Sequence, residues 1–121
     1  MTVLVDTSIW IDHLRRRVPE LARLLEDGSV VCHPFVVGEL ALGNLRQWDE
    51  IRGHLDALPE AVSAGHDEVL HLIDRHGLQG SGIGWVDAHL LASARLSGCR
   101  LWTRDRALGD AAGVVGVPLA I

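Results

Sequence analysis

The chain has 121 residues and a net charge of −5, and its eleven basic residues are all arginine. The missing lysine excludes a P-loop, a Schiff base and an aspartyl-phosphate site of the kind that sets a lysine beside the acid. The acidic balance argues against indiscriminate polyanion binding, so any nucleic-acid site must be local. Cys32 and Cys99 stand without CxxC spacing and read as buried thiols of a reducing compartment. No basic region precedes the first apolar stretch and no run approaches a membrane span, which predicts a cytoplasmic protein with no membrane contact. The length suits a single domain over residues 1–121.

Val3, Leu4 and Val5 read as a short strand buried on both faces, because aliphatic residues without alternation suit a sheet covered by helices on either side. It ends at Asp6, and Thr7 and Ser8 open a helix with Ile9, Ile11 and Leu14 on its apolar side. After Arg15, Arg16 and Arg17, Pro19 fits the first turn of a second helix carrying Leu21, Leu24 and Leu25 to a stop near Gly28. Residues 29–33, SVVCH, form a second strand. Pro34 starts a helix through FVVGELALGNLR, apolar almost all round except at Glu39 and the polar end at Asn44 and Arg46, which predicts burial on most sides. Two amphipathic helices, over 48–57 and 67–76, flank a connection holding Pro59, Ser63 and Gly65. The turn GSGIG leads to a helix formed by Val86, with Ala88, Leu91, Ala92 and Leu96 packed and Gly98 as its C-cap. Residues 100–103, RLWT, form a strand running into TRDRALGD, and a last strand near 117–121 closes the chain. This alternation predicts an α/β fold of three layers, α/β/α, around a mainly parallel sheet.

Four carboxylates occupy suggestive places. Asp6 ends a central strand, at the edge of an open α/β sheet where ligands bind. Glu39 is the one acid in the middle of an apolar helix, so its burial calls for a cation, a hydrogen-bond donor or a metal. Asp87 falls in the first turn of the helix after the glycines, and Asp105 lies just past RLWT. Singly, each has a structural reading as helix cap, dipole partner, turn residue or ion-pair member. If the strands ending at Asp6 and before Asp105 are parallel neighbours, all four can reach one crevice. Clustered carboxylates repel one another unless a divalent cation neutralises them, and an all-oxygen set selects Mg²⁺ or Mn²⁺ over zinc. Such an ion activates and orients a water and stabilises the leaving oxygen of a phosphodiester. Thr7, Ser8 and Thr103 are candidates to position a water or a phosphate oxygen.

Other features carry less. The five-residue spacing of His66, His71 and His76 turns their imidazoles away from one another on a helix, unlike an i, i+4 metal pair. The glycine turn could present backbone N–H groups to a phosphate, but a simple turn accounts for it. Arg15, Arg16 and Arg17 read either as phosphate contacts or as a solvated helix end. Among the four tryptophans, Trp10, Trp48 and Trp102 read as core or interface, and Trp85 stands near enough to Asp87 to touch a substrate.

The segments VDTSIWID, GEL around Glu39 and DAHLLASARLSGCRLWTRD, in that order and spacing over essentially the whole chain, resemble PIN-domain nucleases, most closely the VapC-type ribonuclease toxins of toxin-antitoxin pairs. The resemblance implies a Mg²⁺- or Mn²⁺-dependent endoribonuclease whose acidic positions match Asp6, Glu39, Asp87 and Asp105, with Thr103 matching the hydroxyl two before the last acid. It also implies an RNA substrate, a homodimer and a cognate antitoxin protein covering the site. For these partners the apolar helix over 34–45 and the next helix are the candidate surface. Many relatives continue past the last acid with a further acid and a phenylalanine, where this chain has Arg106, Ala107, Leu108 and Gly109; Asp110 is therefore an alternative fourth ligand. A receiver-like phosphatase would need a second acid where Ser8 stands. A non-catalytic PIN-like module binding RNA or protein would have lost an acid, and the first three are intact. Choice between RNA and DNA is not written in the acids.

Overall fold

A computed structural model describes all 121 residues. Its elements, in chain order, are β1 (Val3–Val5), α1 (Thr7–Arg15), α2 (Pro19–Glu26), β2 (Val30–Val31), α3 (Pro34–Leu42), α4 (Trp48–Asp56), α5 (His66–His76), α6 (Trp85–Ser97), β3 (Arg100–Trp102) and α7 (Arg106–Val115). The strands form a parallel sheet in the order β2-β1-β3, with Val3 opposite Val30 and Arg100, and Val5 opposite Trp102. Single parallel bridges, Cys32 to Glu60 and Leu101 to Leu119, extend it at both edges. The α/β class and the parallel sheet agree with the sequence reading.

β1 lies in the middle of the sheet, and both its faces are covered, since Val3, Leu4 and Val5 are all buried. Leu4, Val5 and Leu101 are fully buried, each contributing on the order of 1.5–3 kcal/mol by leaving water. The chain leaves β1 toward β2 on one side and returns to β3 on the other. That reversal opens a crevice beyond the carboxyl ends of the strands.

Four local expectations are corrected. The segment after Asp105 is a helix, α7, which TRDRALGD had not suggested; its Leu108, Ala111, Ala112 and Val115 are buried at helical spacing, and Gly109 and Gly113 weaken its propensity without breaking that pattern. The last strand shrinks to one bridge, in which Leu101 N–H donates to the Pro118 carbonyl at 3.0 Å and Ala120 N–H to that of Leu101 at 2.9 Å; Pro118 has no N–H to extend the ladder. The helix from Pro34 stops at Leu42, where Gly43 caps it and Asn44 turns left-handed at φ 54°. It buries only Val36 and Leu40, while Leu42 is 88% exposed. Leu96 is likewise half exposed rather than packed.

The buried helix α6 ends where Gly98, at φ 65°, reverses the chain into β3. Nothing lies within 4 Å of where a Cβ would sit. Gly98→Ala should therefore cost only the left-handed backbone, about 1–2 kcal/mol, measurable as a shifted urea midpoint with unchanged slope.

Candidate active site

The Asp6 backbone N–H donates to the Trp102 carbonyl at 2.9 Å, which fixes the exit of β1 beside that of β3. Asp6 is 7% exposed and its carboxylate is almost fully engaged. Oδ1 accepts from Thr7 N at 2.7 Å, while Oδ2 accepts from Ser8 Oγ at 3.2 Å and Thr103 Oγ1 at 2.8 Å. Asp6 is thus the N-cap of α1 as well as the floor of the crevice. Thr103 Oγ1 in turn accepts from Asp105 N at 3.0 Å. Asp105 caps α7, its Oδ1 accepting from Leu108 N at 3.3 Å.

The other two acids arrive on helices. Because α1 packs on α3, Thr7 Oγ1 donates to Glu39 Oε1 at 2.6 Å. Glu39 is exposed, which overturns the expectation of a buried acid; of the partners expected for it, a cation, a hydrogen-bond donor or a metal, the one present is the donor, the Thr7 hydroxyl. Asp87 is half-buried at the start of α6, where Oδ2 accepts from Gly84 N at 3.2 Å. The glycine turn before it packs close to α7, since a Cβ on Gly82 would lie 3.6 Å from that of Ala107. That close approach sets the turn leading into α6, and so Asp87, beside the helix capped by Asp105.

Burial pushes the Asp87 carboxyl above its usual range; the Gly84 N–H pulls it back in part, and repulsion from Asp6, then Asp105 and Glu39, adds to the rise. All four predicted acids therefore share one field, and Asp110 is not among the charges that act on Asp87. None of the four is in a recorded ion pair; the two in the molecule are Arg52–Asp56 and Arg104–Asp12. The donor chemistry fits a hard divalent cation: all oxygen, negative, and with the second oxygens of Glu39, Asp87 and Asp105 not hydrogen-bonded to the protein. No three of the carboxylates stand close enough to hold an ion as arranged, so a bound cation requires side chains such as the exposed Glu39 to move inward.

Sequence reasoning missed the aromatic row beside the acids. Rings of His33, Phe35, His89, Trp85 and His66 touch in succession, edge-on or tilted at 55–84°, with centroids 4.6–5.2 Å apart. Phe35 and Trp85 are exposed, and each lies within one helical turn of an acid, Glu39 or Asp87. Trp85 so near Asp87 was foreseen; its edge-to-face contact with His89 was not. Trp10 and Trp102 are buried, as expected.

The fold is a three-layer α/β domain with four acids near the carboxyl edge of its parallel sheet, the edge where open α/β sheets bind ligands. The PIN domain family model matches residues 3–114, and the chain belongs to that family. It is 49% identical over 119 residues to Ribonuclease VapC32 of Mycobacterium tuberculosis, covering 98% of this chain and 96% of the relative. Two crystal structures share the fold at low identity. They are VapBC2 from Rickettsia felis bound to a DNA fragment from their promoter (TM-score 0.70, 16% identity, 98% of this chain and 97% of that one), and FitAcB from Neisseria gonorrhoeae (TM-score 0.68, 17% identity, 98% and 96%).

Proposed function

We propose that this protein is a metal-dependent endoribonuclease, the toxin of a type II toxin-antitoxin pair, and that residues 1–121 act as one domain. The observation that carries the reading is the convergence of four acids, from the ends of β1 and β3 and from α3 and α6: Thr7 and Thr103 link Asp6, Glu39 and Asp105 by hydrogen bonds, and Asp87 feels the charge of all three. Identity of 49% to a ribonuclease over nearly the full length supports it.

Asp6, Glu39, Asp87 and Asp105 would hold Mg²⁺, or Mn²⁺ in its place. When bound, the cation supplies an activated water and stabilises the oxygen leaving phosphorus. The chain's own contribution is positioning. Thr103 and Ser8 fix the Asp6 carboxylate, Thr7 steers Glu39, and the partly exposed hydroxyls of Thr7, Ser8 and Thr103 face the same mouth as the acids, where a phosphate oxygen would sit.

The partner surface is the apolar strip of α3, where Phe35 and Leu42 are exposed; a second copy and an antitoxin would share it and the neighbouring α4. No helix is long and apolar enough to cross a membrane.

The test is incubation of the purified protein with pooled cellular RNA in Mg²⁺ or Mn²⁺ against EDTA, alongside a deoxy-substituted substrate. Cutting of RNA alone, lost in EDTA, is expected; cutting that persists in EDTA overturns the metal assignment. Melting gives a second readout. Asp87→Asn relieves the repulsion among the acids and should raise the metal-free melting temperature. Added Mn²⁺ should stabilise the unmodified protein and leave this variant nearly unmoved.

A further inference from the structure

One face of α1 leads out of the acid cluster into a group of arginines. Ser8, bonded to Asp6, stands one helical turn before Asp12, and Asp12 one turn before Arg15 and Arg16. From Ser8 to Arg16 the rise is about 12 Å. Asp12 pairs with Arg104, which lies between Thr103, bonded to Asp6, and Asp105, a member of the cluster. Arg15, Arg16, Arg17 and Arg104 line one open groove of about 550 Å³ together with Asp12 and Glu20. In a chain of net charge −5 this is a local cationic surface, and it begins one residue from the acids.

We propose that this groove is the subsite for the backbone of single-stranded RNA, with its arginines holding phosphates next to the bond that is cut; the proposal rests on the ribonuclease reading. An acid cluster repels a polyanion, so productive binding needs an adjacent cationic field to offset that repulsion. Guanidinium groups supply it with paired donors that match phosphate geometry. The groove wall is polar, its apolar residues being Val18, which is buried, and Pro19, whereas a protein partner would need an apolar centre there. The Arg104–Asp12 pair is exposed on both sides, at 53% and 44%. Such a pair opens at little cost, which lets Arg104 exchange the carboxylate for a phosphate.

The experiment is binding of a fluorescein-labelled oligouridylate to the metal-free protein in EDTA, followed by anisotropy. Salt is varied from about 50 to 200 mM, and a variant lacking three phosphate contacts should show a slope of log affinity against log salt shallower by about 2, roughly 0.7 per contact on a single strand. That variant is Arg15→Gln, Arg16→Gln and Arg17→Gln combined, and it should bind on the order of several hundredfold more weakly at the low-salt end, a deficit that narrows by about 16-fold across the salt range. Asp12→Asn frees Arg104 and should bind more tightly, a gain that misfolding does not produce. Arg52→Gln, removed from the Asp56 pair on α4, should bind as the unmodified protein does. An unchanged slope in the triple variant, weaker binding by Asp12→Asn, or no binding by the unmodified protein overturns the proposal. Arginine-dependent binding by a protein that cuts no RNA would uphold the subsite and remove the ribonuclease reading. Metal-dependent cutting with an unaltered KM in the triple variant would do the reverse.

Discussion

Asp6→Asn should lower RNA cleavage by at least ~100-fold while the protein stays folded. Losing a group that merely orients a metal ligand costs about 10–100-fold, and Asp6 is assigned here as a ligand itself. Asn keeps an oxygen to accept from Thr7 N, and Asn is as good an N-cap as Asp. The Ser8 and Thr103 hydroxyls, which both donate to Oδ2, can rotate to accept from the new amide. Asp6→Ala separates the two roles of the residue. It loses the cap and strands two hydroxyls, and should destabilise the protein by about 1–3 kcal/mol in addition to abolishing activity. Cleavage assayed beside chemical denaturation distinguishes the outcomes. An Asp6→Asn protein that cuts RNA normally would reduce Asp6 to a helix cap.

The second large effect is loss of stability in mild acid, centred on His33. This residue is 2% exposed, and its Nδ1 accepts from Phe35 N at 3.0 Å to cap α3. The proton of the neutral ring therefore sits on Nε2, which is buried without a partner. Burial first, and then the nearby His89, lower its pKa from 6.5 to about 4. Between those values the unfolded chain takes up a proton that the folded chain refuses. Stability therefore falls as pH drops from 6.5 toward 4 and levels off below, a loss on the order of 3 kcal/mol at most. His89, whose pKa is also lowered, chiefly by burial, acts in the same direction. Asp87 opposes both, because its carboxyl is raised and acidification removes the cost of its charge. Comparison with His33→Asn isolates the histidine: Asn can cap α3 in the same way but does not titrate. Its melting temperature should change less between pH 7 and pH 4.5 than that of the unmodified protein, and equal changes would exonerate His33.

The α3 surface illustrates how far local pattern carries. The sequence FVVGELALGNLR announces a helix, and an apolar run with no moment suggests burial all round. In the fold only Val36 and Leu40 are covered, because α3 follows the short edge strand β2 and packs against α1 and α4, which leaves its remaining side open. Burial is a property of neighbours, and no periodicity within a segment states how many neighbours it has.

By itself, the sequence determined the elements whose signals are local: the buried β1 run, Pro19 and Pro34 opening helices, Gly98 closing α6, and acids placed at strand ends and helix starts. Even α7 was written there, in an Asp cap and buried residues at helical spacing, under two glycines that masked it. The all-arginine composition likewise excluded lysine chemistry before any fold was known. Only the tertiary structure decided which of these groups meet. Thr103 reaches Asp6 across 97 positions and Arg104 reaches Asp12 across 92, because β3 crosses to pair with β1 and sets both strand ends level. Such contacts depend on register and crossover, which arise from the packing of the whole chain. Local propensity could nominate Asp6, Glu39, Asp87 and Asp105, and the parallel sheet gathered them at one edge.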